Sequence, residues 1–252
     1  MAAGPMEQFE IHTIVPLEIG GVDVSFTNSS LWMCIVVLSI SLFLVIASSS
    51  RAVVPGRWRS LSEISYNFIT DMIRSAAGSG GLKFFPFIYA LFMFVLFANL
   101  FGLIPFLHAF TVTSHIIVTL ALALVVFTMV IIVGVLTHGI KFLKLFVPDV
   151  PWYMLPLLTP IEVISFLSRT LSLSVRLFAN MLAGHIMLTV FGGFVVSLAA
   201  AGGGLSLLSI APMLGIIGVS ALEFLVAFLQ AYVFAILTCI YLNDALHLHD
   251  QH

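Results

Sequence analysis

The stretch Ile161–Ala201, IEVISFLSRTLSLSVRLFANMLAGHIMLTVFGGFVVSLAAA, decides the fold. Its only formal charges are Glu162, Arg169 and Arg176. As one helix it extends about 60 Å, against a hydrocarbon core of about 30 Å. Arg176 lies deep inside it, with no neighbouring acid in the sequence. An ionisable group within a membrane span costs about 2.5–3.5 kcal/mol on insertion scales, so it is kept for a function. Arginine also holds its proton at every accessible pH. Arg176 is therefore a fixed positive charge and not a proton carrier.

The rest of the chain has the composition of a membrane protein. Hydrophobic residues make up 61% of it and charged residues 8%, whereas soluble domains carry about 25% charge. With 9 Lys+Arg against 11 Asp+Glu, nothing points to a nucleic-acid partner. Cys34 and Cys239 fall in apolar segments and read as small buried hydrophobes that report no redox compartment. The first 30 residues contain no Lys or Arg, so no secretory signal is visible, and the chain is expected to begin at or near Met1. The absence of a basic presequence suits a bacterial or organelle-encoded product, and the Met-Ala-Ala start favours the bacterial one.

Polar and apolar residues alternate over no long run, which argues against a β-barrel and for an all-α integral membrane protein. The expected layout is a single membrane domain over 1–252 with about five membrane helices. It begins with an N-terminal segment 1–30, a first membrane helix 31–50 and a surface helix 58–77. Membrane helices 86–107 and 115–136 follow, then a long, steeply tilted hairpin of 160–201 and 205–242. In 58–77, Leu61, Ile64, Phe68, Met72 and Ile73 recur at helical spacing beside Glu63, Asp71 and Arg74, the pattern of an amphipathic helix on the membrane surface. Ile140–Val147 is a candidate for a shorter one. Residues 51–85 hold Arg51, Arg57, Arg59, Arg74 and Lys83, and 137–150 hold Lys141 and Lys144. Residues 1–30 and 108–115 hold no Lys or Arg. By the positive-inside rule the N-terminus is outside and the C-terminus inside. Gly192-Gly193 and Pro212 are possible break points in the last two helices, although their apolar character continues through both.

Folding the two long segments back at Gly203 pairs their sparse polar groups. Arg176 and Gln230 stand equally far from that glycine, as do Glu162 and Asp244, and His185 and Glu223 nearly so. Glu162, Arg169 and Arg176 are spaced by seven, which places them on one stripe with about 20° of drift per step. Asn180 continues the stripe, and His185 points to the other side. An imidazole titrates near neutrality, so His185 with Glu223 is a pair suited to proton exchange. Blander readings stand beside these. Arg169 and Arg176 would serve as structural cations, Glu223 and His185 as an inert hydrogen-bonded pair, and Asn99 and Asn180 as amides joining helices. His247, His249 and His252 read as a solvated tail and not as a metal site. The chain has no Gly-rich phosphate loop, His-Glu-x-x-His, Gly-x-Ser-x-Gly or Cys-x-x-Cys.

Several phrases of this sequence resemble one family. They are Pro160-Ile161-Glu162, then Ser172-Leu173-Ser174-Val175-Arg176-Leu177-Phe178-Ala179-Asn180-Met181 with Gly184-His185, and later Glu223 with Gln230. The family is subunit a of F-type ATP synthases. The likeness extends to Glu7-Gln8-Phe9-Glu10-Ile11, to Ser25-Phe26-Thr27-Asn28-Ser29-Ser30-Leu31, to Asn99-Leu100-Phe101-Gly102-Leu103-Ile104-Pro105 and to Tyr241-Leu242-Asn243-Asp244-Ala245.

The resemblance implies a non-catalytic stator in the membrane sector of the complex. Its partners would be a rotating proteolipid c-ring, peripheral-stalk b-type subunits, the F1 sector reached through the stalks, and the lipid bilayer, with no cofactor and no metal. Protons would enter one half-channel, neutralise a ring carboxylate, travel with the ring and leave by a second half-channel. Arg176 would separate the two, since a nearby cation favours the ionised acid. Each proton contributes about 2.3 kcal/mol per 100 mV, so several passages must be accumulated for each ATP. On the outer side the path would use Glu223, His185, Asn180 and Gln230. Glu162, Ser165, Ser168, Ser172 and Asp244 are the inner-side candidates. Many bacterial members carry an acid at the position of His185 and a histidine at that of Glu223; here the two are exchanged, as in mitochondrial relatives. Gly102 stands where other members carry an acid. The expected location is the bacterial inner membrane, with the mitochondrial inner membrane as the alternative. A proton-coupled secondary transporter acting without a rotor, or an inert scaffold, are the competing functions; a transporter usually shows internal repeats, and none is evident.

Overall fold

The computed structural model describes residues 12–16, 18–19, 22–23, 25–49, 56–103, 112–139 and 154–246. Six helices dominate them: α1 (Asn28–Ser49), α2 (Arg57–Gly81), α3 (Phe85–Gly102), α4 (Ile116–His138), α5 (Leu155–Ala200) and α6 (Ile210–Leu246). Five helical stretches are long and apolar enough to cross a membrane, with α2 and α3 counted as one stretch. The fold is that of an all-α integral membrane protein. Ile140–Val147 lies outside the described residues.

The residues group into two compact units, Met1–Ile40 with Phe94–Ile116 and Leu177–Gln230, and Ser41–Met93 with Ile117–Arg176 and Ala231–His252. In the first unit a short antiparallel ribbon precedes α1. Its strands are β1 (Thr13–Val15) paired with β4 (Phe26–Thr27), and β2 (Glu18–Ile19) paired with β3 (Val22–Asp23). Segments this short bury no continuous face, so the sequence carried no alternation that announced them. The ribbon meets the helix through Asn28, whose backbone N–H donates to the His12 carbonyl at 3.1 Å. The Thr27 hydroxyl accepts from the Ser30 N–H at 3.4 Å and thus caps α1. The helix therefore starts three residues before the Leu31 at which hydrophobicity alone begins it.

In the same unit α5 and α6 turn back on each other. Gly202, at φ 68°, makes the turn, a conformation that glycine reaches without a Cβ clash. A 3-10 segment, Gly203–Ser209, leads into α6. Pro212 lies in the first turn of α6, where a missing N–H costs nothing, and α5 runs unbroken through Gly192-Gly193. Neither candidate break point breaks a helix. The Phe191 ring lies against Gly215 and the Glu223 side chain against Gly184, so the later residue of α5 meets the earlier one of α6. The pair is antiparallel.

The second unit is built on aromatic and small-residue packing. Phe68 of α2 touches Phe92 of α3 and Tyr232 of α6, with ring centroids 5.9 and 5.8 Å apart. The Ser65 and Tyr89 hydroxyls are hydrogen-bonded at 3.1 Å. Phe127 of α4 meets Phe166 of α5 at 5.1 Å, and the Thr119 and Ser174 hydroxyls join the same helices at 3.2 Å. The buried face of α6 includes Ala231, Ala235 and Ala245. Between lipid-embedded helices no hydrophobic force draws surfaces together, so close backbone approach and interhelical hydrogen bonds do that work. On α2, Met72 and Ile73 are buried while Trp58, Leu61 and Ile64 stay more than half exposed.

The helix α2 contains one strained point. Gly78 has φ 65° and ψ −165°, a region reserved for glycine, and it kinks the chain just before α3. Gly78→Ala is expected to lower the thermal midpoint of the purified protein by the equivalent of about 1–3 kcal/mol. The exposed Gly80 meets nothing within 4 Å, so Gly80→Ala should stay within about 0.5 kcal/mol. Equal midpoints for the two variants would contradict this account of the kink.

Candidate functional site

Most of α5 is exposed. Leu173, Ser174, Leu177 and Met181 are buried at helical spacing and fix which side of the helix packs inward. Arg176 lies outside that stripe, on the exposed side with Leu171, Val175, Ala179, Met187, Val190 and Phe194. This open, mostly apolar side of α5 also carries Glu162, Ser168, Arg169 and Ser172, and Arg176 is the charge set deepest along it.

In the first unit the candidate is Glu223. It is only 6% exposed, and its carboxyl occupies the space that a side chain at Gly184 would fill. Neither carboxyl oxygen has a hydrogen-bond partner among the described residues. A buried carboxyl without partners is costly, unless a proton or water satisfies it. His185, the next residue after Gly184, is half-buried, and its backbone carbonyl accepts from the Thr189 hydroxyl at 2.9 Å. No hydrogen bond joins the Glu223 carboxyl to His185.

Asn99 is fully buried on α3 and donates to the Ala227 carbonyl at 3.4 Å, one turn of α6 beyond Glu223. Its Oδ1 has no partner among the described residues. The amide thus ties two helices while leaving one acceptor unsatisfied beside the carboxylate turn. Asn180 is half-buried and Gln230 is buried.

The remaining expected site residues lie along α5 and at the end of α6. Glu162, Ser168 and Ser172 are exposed and Ser165 is half-buried, with the Ser168 hydroxyl donating to the Ser165 carbonyl at 2.8 Å. Asp244 is half-buried, and its Oδ2 lies 4.0 Å from Nη1 of Arg169. Counting from the glycine turn had set Asp244 opposite Glu162; its recorded ion-pair partner is Arg169. Side chains lean toward the N-terminus of their own helix, so on antiparallel helices Arg169 and Asp244 converge along the axis. Two features escaped sequence reasoning: this pair, and Gly184 as the seat of Glu223. A glycine inside a helix next to a histidine was the available signal for the second. No group of three or more His, Cys, Asp or Glu that could hold a metal occurs among the described residues, and the C-terminal histidines lie outside them.

This fold defines a class: a polytopic all-α integral membrane protein with a few charged and polar groups set in its long apolar helices. A family model described as ATP synthase A chain matches residues 30–243. A protein of Chelativorans sp. (strain BNC1) named ATP synthase subunit a is 59% identical over 248 residues, covering 98% of this chain and 99% of its own. One of the same name from Maricaulis maris (strain MCS10) is 59% identical over 251 residues, covering 96% and 97%. Another from Mesorhizobium japonicum is 59% identical over 244 residues, covering 96% of each chain. The chain belongs to the ATP synthase A chain family.

Proposed function

We propose that this chain is the proton-translocating stator in the membrane sector of a bacterial F-type ATP synthase, where it couples proton flow to rotation and ATP synthesis. It lies in the bacterial inner membrane with its N-terminus outside and its C-terminus inside, and it catalyses no chemistry itself. The proteolipid ring docks on the exposed side of α5; peripheral-stalk subunits and, through them, the F1 sector complete the complex. Arg176 faces the ring carboxylates and divides two half-channels. The outer one passes Asn180, His185, Glu223 and Gln230. The inner one follows Glu162, Ser165, Ser168 and Ser172, with Asp244 at its margin. At 46 and 37 residues, α5 and α6 extend about 69 and 55 Å, so both lie strongly inclined to a core of about 30 Å.

The observation that carries this reading is the exposed Arg176, deep in a long membrane helix and flanked on its open side by Leu171, Val175 and Ala179. Lipid is a poor neighbour for a charge that cannot be removed, and a partner surface bearing a carboxylate is a good one. The unsatisfied carboxyl of Glu223 adds a group that must take up protons or water.

Purification of the native complex tests the assignment. Copurification with a proteolipid ring and nucleotide-binding subunits is expected; proton flux through this chain alone in liposomes would contradict it. Glu223→Gln keeps the shape of the side chain and removes the proton site. It should slow ATP synthesis driven by an imposed proton gradient about tenfold or more, with the complex still assembled. A rate and pH profile equal to wild type would remove Glu223 from the path.

A further inference from the structure

The stripe that carries Arg176 carries a second cation. Arg169 lies seven residues earlier, about 10.5 Å along the axis and about 20° away around it. Its side chain is 49% exposed, on the same open side of the helix. Left to itself it would present a second stationary charge to any acid moving along α5.

We infer that Asp244 is a positioning residue that draws Arg169 toward α6 and offsets its charge, so that Arg176 alone sets where an ionised ring carboxylate rests. This deepens the stator function proposed above and depends on it. Two observations support it. Asp244 approaches Arg169 at 4.0 Å across the helix pair. Arg169 also lines a cleft together with Phe127 of α4, Phe166 of α5 and Tyr241 of α6, so it stands beside α6. Stability does not explain the pair, because a half-exposed contact at this distance contributes little to folding. Its electrostatic consequence is larger. A nearby cation favours the ionised acid, and two such cations make two resting places, between which each carboxylate must be pulled.

The test is a cycle of variants in the assembled complex, read as ATP synthesis in membrane vesicles under a fixed proton gradient, with copurification of ring and F1 as the assembly control. Asp244→Asn should slow synthesis about tenfold, and Arg169→Gln should stay within about twofold of wild type. The double variant Arg169→Gln/Asp244→Asn should recover to at least about half the wild-type rate. Recovery on removing the second charge is the signature that neither a structural staple nor a proton-carrying Asp244 produces. An assembled double variant as slow as Asp244→Asn overturns the inference, and so does an Asp244→Asn rate equal to wild type. Should Asp244→Asn fail to assemble, the double variant decides: synthesis at half rate supports the role, and an assembled but inactive complex overturns it. Arg176→Ala run alongside separates the two levels, since synthesis in that variant sinks the stator function itself.

Discussion

Arg176→Ala is expected to abolish proton-driven ATP synthesis, lowering the rate by at least about a hundredfold, which corresponds to about 2.7 kcal/mol or more. Ring and nucleotide-binding subunits should still copurify. Assembly survives because Arg176 is exposed, outside the stripe of Leu173, Leu177 and Met181 that packs α5 inward. Function fails because alanine supplies no charge to hold a ring carboxylate ionised between the two half-channels. Arg176→Lys is the informative companion. It keeps the charge but loses the planar fork and can give up its proton in an apolar setting, so it should restore little. Wild-type synthesis in Arg176→Ala would refute the role.

Gly184→Val is expected to have an effect nearly as large, from a residue with no chemistry of its own. The carboxyl of Glu223 occupies the volume of the missing side chain, so even a Cβ there overlaps it. Glu223 must then swing away or the helices must separate, and α6 packs too closely in the same unit for the second to be cheap. Gly184→Ala should slow ATP synthesis about tenfold and Gly184→Val further, in the order of added volume. Gly192→Ala is the control: it stands on the same helix with nothing within 4 Å and should leave synthesis within about twofold. If Gly184→Ala also synthesises ATP at the control rate, the close seat of Glu223 is not part of the proton path.

What the sequence revealed follows from what lipid demands. Runs of apolar residues and the few charges among them are direct records of the hydrocarbon core, so the long helices and Arg176 were legible at once. The antiparallel register near the turn was legible too, because Gly202-Gly203-Gly204 marks the fold-back, and counting from it brings 184–185 to 223. Farther from the turn, counting sets a depth and not a contact. Whether Asp244 meets Glu162 or Arg169 depends on which way two side chains lean, and position numbers hold no such information. The ribbon of β1 to β4 was hidden for another reason: strands of two or three residues have no period to detect. Gly184 was in view as a residue, yet its role exists only once α6 is laid against it.

The central claim is that Arg176 keeps two aqueous routes from joining. It is tested most directly by proton flux across vesicles holding the complete complex with the rotor immobilised by locking the F1 sector. Wild type should then hold an imposed gradient, because no carboxylate is carried past the arginine. The Arg176→Ala complex, equally locked, should let the gradient decay as protons hop between the half-channels. A locked Arg176→Ala complex as tight as wild type would contradict the claim.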